Sequence, residues 1–227
     1  MACILHLEAG PPGCSVAISK DGQLLGERLD LGREAAADLM VLSRELLESL
    51  GLSVQDISAV SVPAGPGSYT SLRTGYAMAK GLCASLRVPL ICLPSLEILL
   101  HAAASSLSRE FPEGGWVLCL MHARKNQFLG QQFETDNKKP WGGLREMGPE
   151  APEDCRDSVL TIVDTPAETP LPQGLDGTVR IVQKKASDQT SPAWKRFAES
   201  EFDDLIQATP LYVYDPHITK PKPKFYN

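Results

Sequence analysis

Residues 57–86 read ISAVSVPAGPGSYTSLRTGYAMAKGLCASL, and this stretch decides the fold. The apolar, β-branched run 57–62 has the character of a buried strand. Gly65-Pro66-Gly67 breaks it with residues suited to a tight turn, and Ser68 or Thr70 is placed to cap the helix expected over 70–86. Strand, glycine-rich turn and helix make one half of a strand–helix–strand unit. The free N–H groups at such a helix start favour anions. The turn is no P-loop, since no Gly-Lys-Ser/Thr ends it, and no nucleophile elbow, since Ser68 lacks the Gly-x-Ser-x-Gly flanks. On spacing alone, a plain capped turn carrying Arg73 on its helix explains these residues as well as an anion site does.

The helix itself has an unusual composition. Ser71, Gly75 and Ala79 fall at i, i+4 and i+8, and Ala77, Gly81, Ala84 and Ser85 form a neighbouring stripe. A glycine inside a helix costs about 1 kcal/mol relative to alanine, so a compensating close contact is expected. That contact is either with the rest of this chain or with a helix of a second subunit.

Upstream, 3–7 reads as a buried strand, and 14–19 and 24–31 as two more. The second and third are joined at Lys20-Asp21-Gly22-Gln23, a favoured hairpin turn. A helix over 33–50 follows, with Leu39, Leu42, Leu46 and Leu50 at helical spacing and Gly51 as its stop. After the decisive unit come a strand over 88–93 and a helix over 96–107. The order is βββαβαβα. The chain then restarts with strands at 116–121 and 126–134, and Leu7-Glu8 aligns with Met121-His122 about half a length later, a sign of duplication. Beyond Glu134 the pattern decays into Pro/Gly-rich stretches (138–152, 165–177). Short strands are expected at 159–163 and 179–182, and a helix over 192–206. Lys220-Pro221-Lys222-Pro223-Lys224 reads as an extended basic tail. We expect an N-terminal domain over 1–108 and a reduced C-terminal α/β domain over 109–227, a partial repeat of the first.

The 227 residues are 43% hydrophobic and 22% charged with a net charge of −6, which excludes collagen-like, disordered and disulfide-scaffold classes and gives no overall basic balance for nucleic acid. No apolar run approaches the roughly 20 residues of a membrane span, and the start reads as a strand rather than a signal peptide. The six cysteines form no Cys-x-x-Cys and are expected to be buried and reduced, as in a cytoplasm. The four histidines form no metal-binding group, and no metal is expected. Glu8 and His122 end the first strand of each half, where nucleotide enzymes of this duplicated order place carboxylates around a metal–phosphate. One carboxylate and one imidazole replace two hard oxygen ligands poorly. Arg124 and Lys125 follow the sixth strand and are placed either to meet a phosphate or simply to be solvated.

The stretch from Gly65 to Gly75, continuing to Ala79-Lys80-Gly81-Leu82, resembles the bacterial TsaB (YeaZ) family, whose pattern is Gly-Pro-Gly-Ser-aromatic-Thr-small-Leu/Val-Arg-x-Gly followed by Ala-Lys/Gln-Gly-Leu. His122-Ala123-Arg124 and Pro210-Leu211-Tyr212 resemble later family motifs more weakly. The resemblance implies an α/β, actin/Hsp70-like (ribonuclease-H-like) duplicated fold with a reduced second half. It implies a cytoplasmic, non-catalytic subunit with no cofactor of its own, any ATP being bound by its partners. Those partners are a TsaD-like threonylcarbamoyltransferase and a TsaE-like ATPase, with tRNA reached through the complex; the exposed apolar helix pair leaves both a symmetric homodimer and a monomer open for the chain alone. It places the partner interface on the first two helices, here Leu39, Leu42, Ser71, Gly75, Met78, Ala79 and Leu82. The chain departs from the family at Glu8-Ala9-Gly10 (for Asp-Thr-Ser), at His122 (for Asp) and at Tyr214 (for Arg), all on residual nucleotide-site positions. Two other readings compete: a small-molecule kinase or ATPase of the same superfamily, and an RNA-binding module using Arg124, Lys125 and the Lys-Pro tail. A peptidase has neither nucleophile nor metal ligands in its favour.

Overall fold

A computed structural model describes residues 1–10, 13–32, 35–107, 111–151, 153, 157–166, 169–175 and 177–214. The Lys-Pro tail, Arg33, Cys155 and His217 lie outside the described residues. The chain begins with β1 (Cys3–Glu8), β2 (Cys14–Lys20) and β3 (Gln23–Asp30), then α1 (Ala35–Ser49), β4 (Ile57–Gly65), α2 (Tyr69–Leu86), β5 (Leu90–Pro94) and α3 (Ser95–Ser106). Asp21 (φ 49°) and Gly22 (φ 79°) take the two positive-φ positions of the β2–β3 hairpin, the geometry that matches strand twist. β1 pairs antiparallel with β2 and parallel with β4, giving a five-stranded sheet in the order β3-β2-β1-β4-β5.

The second half repeats this sheet in full. β6 (Trp116–Arg124), β7 (Gln127–Glu134), β8 (Pro140–Met147), β9 (Ser158–Asp164) and β10 (Thr178–Ile181) form a sheet in the order β10-β9-β6-β7-β8. Here too the first three strands are antiparallel neighbours and the last two run parallel on the other side of the first. The reduction lies in the helices: among the described residues none separates β8 from β9 or β9 from β10. β8 falls inside a stretch expected to be irregular. It is an edge strand, largely exposed, where Pro140 costs no ladder hydrogen bond and no apolar alternation is needed.

Alternation along β1 separates two layers. Leu5 and Leu7 join Leu39, Leu46, Tyr76, Ala79 and Cys83 in the core beneath α1 and α2. Ile4 faces the other way, against Ile98 of α3 and Ala193 of α4 (Thr190–Ala198). α3 also packs on the second sheet through Leu96, Leu99, Leu100 and Ala103. Residues 184–211, from the second half of the chain, thus lie against the first sheet. α4 is shorter than the 192–206 expected. Beyond it the Asp203 N–H donates to the Leu90 carbonyl at 2.9 Å, and its carboxylate accepts from the Cys92 N–H at 2.7 Å. This stretch satisfies the free edge of β5, which a longer helix would leave open.

The described cysteines, Cys3, Cys14, Cys83, Cys92 and Cys119, are buried free thiols, and burial pushes Cys14 and Cys83 up to about 11 and Cys92 to about 12. No helix among the described residues is long and apolar enough to cross a membrane.

His6 shares the α4-facing side of β1 and is fully buried. Ser61 donates to Gln189 Oε1 (2.7 Å), so it accepts from His6 Nδ1 (2.7 Å), and His6 Nε2 accepts from Ser19 (2.8 Å). Gln189 in turn donates to the Leu7 carbonyl at 2.8 Å. Burial lowers the His6 pKa from 6.5 to about 3, so it is neutral when folded. The unfolded chain takes up that proton below about pH 6.5, so His6 withdraws stability progressively as pH falls from about 6.5 toward 3. The slope is up to about 1.4 kcal/mol per pH unit. Asp188, raised to about 6 mainly by burial, acts in the opposite direction, so the difference from a variant isolates the histidine. Urea unfolding between pH 6 and 4 is expected to lose stability more steeply in the wild type than in His6→Asn, by about 1 kcal/mol per pH unit. Equal slopes would place the proton uptake elsewhere.

Candidate functional site

The 3.6-residue period of α2 gives its residues different surroundings. Leu72, Gly75, Tyr76, Ala79 and Cys83 face the sheet and are buried. A Cβ on Gly75 would stand 3.2 Å from Val62 Cγ2, so the glycine lets α2 settle onto β4. The expectation that Ser71, Gly75 and Ala79 form a stripe open to a partner is corrected: Gly75 and Ala79, like Leu39 on α1, belong to this chain's own core. The neighbouring stripe is the open one. Ala77, Gly81, Ala84 and Ser85 are exposed, and nothing lies within 4 Å of a Cβ on Gly81.

A second side of α2 turns toward α1. There Ser71, Met78 and Leu82 are half-buried, as is Leu42 on α1. A groove of about 420 Å³ opens there, lined by Leu82 with Met40, Val41, Leu47, Val54 and Ile57. Met40 and Val41 are 53% and 41% exposed, which leaves the groove apolar and uncovered. The third side is covered by the chain's own C-terminal stretch. Lys80 Nζ donates to the Ile206 carbonyl at 3.2 Å, the Leu211 N–H donates to the Ala64 carbonyl at 2.7 Å, and the Tyr212 ring packs at a tilt on Tyr69, centroids 4.8 Å apart.

At the N-terminus of α2, Ser68 caps by accepting from the Ser71 N–H at 3.5 Å, while Gly67 and Thr70 are exposed. Gly65 sits at φ 101°, beneath the Leu211 carbonyl. Arg73 donates to the Tyr69 hydroxyl at 2.9 Å and lies over its ring.

This turn forms one wall of a cleft of about 620 Å³ between the two sheets. Its floor is ionic. Lys184 places its ammonium 3.3 Å from Glu8 Oε2 and 3.7 Å from Asp164 Oδ2, and the side chains are only 5%, 6% and 13% exposed respectively. Burial pulls against the charged lysine, yet Glu8 and then Asp164 raise its pKa above the ordinary value. Burial likewise raises Asp164, against the pull of Lys184. Glu8 also accepts from the Gly10 N–H through Oε1 at 2.8 Å. His122 lines the cleft with one ring nitrogen on the Lys125 carbonyl (2.7 Å) and its edge on Phe128. Arg124 donates to Gln127 at 3.0 Å and lies 4.1 Å over the Tyr214 ring.

The structure brings Glu8, His122 and Arg124, named from the sequence as residual nucleotide-site positions, to one cleft with Gly67 and Ser68 of the strand-to-helix turn. Sequence reasoning missed Asp164 and Lys184. Lys184 sits in Gln183-Lys184-Lys185, which reads as solvated surface, and nothing in its spacing ties it to Glu8. The Ser61–His6 contact resembles a nucleophile with its base, but both residues are sealed at 0% exposure, so no substrate reaches them.

The profile of the family described as TsaD, tRNA N6-adenosine threonylcarbamoyltransferase, matches residues 31–160. The tRNA threonylcarbamoyladenosine biosynthesis protein TsaB of Escherichia coli K12 is 27% identical over 142 residues, 62% of this chain and 58% of its own length. TsaB of Bacillus subtilis 168 is 31% identical over 135 residues, 59% of this chain and 56% of its own. The matched stretch therefore spans less than two thirds of these curated relatives. In three dimensions YeaZ from Pseudomonas aeruginosa superposes with a TM-score of 0.77 at 21% identity, over 94% of this chain and all of the other, which shows the shared fold.

The two glycines of α2 are expected to respond oppositely. Gly75→Leu overfills the contact with Val62 and should cost about 2 kcal/mol or more. Gly81→Ala meets open space and should gain about 0.5–1 kcal/mol from helix propensity. Chemical denaturation of the two purified variants checks both signs.

Proposed function

The chain belongs to the TsaD family as a TsaB-like member, and from that premise we propose that it is a non-catalytic subunit. It binds a TsaD-like threonylcarbamoyltransferase through α1 and α2 and supports threonylcarbamoyladenosine formation in tRNA. The observation that carries this reading is the outward face of α2, where Ala77, Gly81 and Ala84 leave the helix bare beside the apolar groove at Met40, Val41 and Leu82. An interior glycine facing open space is unfavourable for a lone helix. It becomes favourable once a second helix packs backbone against backbone there. Met40, Val41 and the half-buried Met78 and Leu82 then supply the apolar area that makes such a contact adhesive.

The partner is activated by differential contact: the subunit binds the active arrangement of the transferase more tightly than the inactive one and shifts its population accordingly. The same face serves a symmetric homodimer when the transferase is missing, because a small-residue stripe is complementary to its own copy. A TsaE-like ATPase and the tRNA join through the assembled complex in the cytoplasm. Any ATP is held by those partners, and this chain supplies no cofactor site. The lysine between the two cleft carboxylates supports the non-catalytic part of the reading, because the floor of the cleft already holds its own counter-ion.

Gly81→Glu puts a charge into the middle of the proposed contact without touching the core. Association with a cognate TsaD, measured by calorimetry, is expected to weaken at least about 100-fold. Modification activity of the mixture should fall to that of TsaD alone, while the melting temperature of the variant stays near wild type. Full assembly and activity of this variant would remove α2 from the interface.

A further inference from the structure

Duplicated folds of this strand order are built around a metal-bound phosphate, so the cleft can be asked whether its residues fit one. Glu8 ends β1 of the first sheet and Asp164 ends β9 of the second. Their carboxylates converge from the two halves, and hard oxygen donors facing one another are what a divalent cation selects. Lys184 Nζ is at ion-pair distance from both. The residues do not fit a metal: the place between the carboxylates is filled by an ammonium covalently attached to the chain.

We infer that Lys184 is a built-in cation that takes the place of a divalent metal and ties the two sheets together without any ligand. Its backbone is fixed on both sides. Two residues before it, the Val182 N–H donates to the Val163 carbonyl of the second sheet at 3.0 Å. Two residues after it, the Ala186 N–H donates to Ser15 Oγ of the first sheet at 2.8 Å. Lys184 therefore stands where the chain crosses between the sheets. Gly10 completes the cradle, since a Cβ there would lie 2.8 Å from Glu8 Oε1 and 3.1 Å from Lys184 Nζ. A dication brought to the same place would meet a fixed positive charge in a poorly solvated setting and is excluded. Removing only the ammonium leaves two buried carboxylates facing each other, which destabilises the fold and exposes the metal site. This inference is independent of the partner reading, since it needs neither α1 nor the outward face of α2.

The test is thermal unfolding of the full chain with and without manganese chloride at about 5 mM, well above the dissociation constant of a two-carboxylate site only if that site is preformed. The wild type should melt within about 1 °C of itself in both conditions. Lys184→Ala should melt several degrees lower and regain at least about 3 °C with Mn²⁺, and adding Asp164→Asn should abolish that gain. A wild type that itself gains stability from Mn²⁺, with the gain lost in Asp164→Asn, would overturn the inference. So would a Lys184→Ala variant that melts like wild type and ignores the metal. Should Lys184→Ala fail to fold, the uncharged combination Glu8→Gln, Asp164→Asn and Lys184→Met decides. Folding with a near-wild-type melting point supports charge compensation, and failure to fold overturns it.

Discussion

Residues 184–198 return across the back of β1 and β4, and the arrangement of the two halves depends on how that return is held. Gln189 is the fixing point: its amide oxygen takes the Ser61 hydroxyl proton and its nitrogen reaches the Leu7 carbonyl. His6 completes the network between Ser61 and Ser19. Such a network, dry and fully satisfied, specifies one seating of the second half on the first, because any slip would strand several buried polar groups at once. Around it the apolar contacts of Ile4, Ile98, Ala193 and Phe197 supply area, which by itself is non-directional. The polar links set the register, and the apolar contacts add the adhesion.

With that seating fixed, the helices acquire different tasks. α3 packs against both sheets through its apolar residues. α1 and α2 have one sheet beneath them, and Met40, Val41, Ala77, Gly81 and Ala84 on their outer faces are exposed. Along α2, the helical period sends Gly75 and Ala79 inward and Ala77, Gly81 and Ala84 outward, so one helix carries two small-residue stripes with separate reasons. The inner stripe lets the helix approach β4. The outer one is exposed, and among the described residues nothing lies within 4 Å of a Cβ on Gly81.

The cleft between the sheets has a charged floor and an aromatic rim. Tyr69 packs at a tilt against Tyr212, and Arg124 lies over Tyr214, so the C-terminal stretch is held to both halves at the mouth. The floor is closed by Glu8, Asp164 and Lys184. The cleft is thus held at floor and mouth by the chain's own side chains.

The sequence by itself determined the element order of the first half and the strand-to-helix turn at Gly65–Gly75. It also marked out the residues that meet in the cleft from known strand ends, Glu8, His122 and Arg124. These are local properties: alternation, helical period, turn residues and the offset between two similar strands all survive in one dimension. It also located the small residues of α2 but not which of the two stripes faces outward, because adjacent stripes differ by only a fraction of a turn and the sheet beneath decides between them. β8 left no periodic signal, since an exposed edge strand needs none. Lys184 was invisible for a further reason. A lysine among polar neighbours has the same local signature whether it points to water or to two buried carboxylates, and only the crossing of the chain between the sheets brings residues 8, 164 and 184 together. The tertiary structure decided that juxtaposition because the pairing joins Glu8 to groups more than a hundred residues further along the chain, and no local pattern encodes a contact of that range.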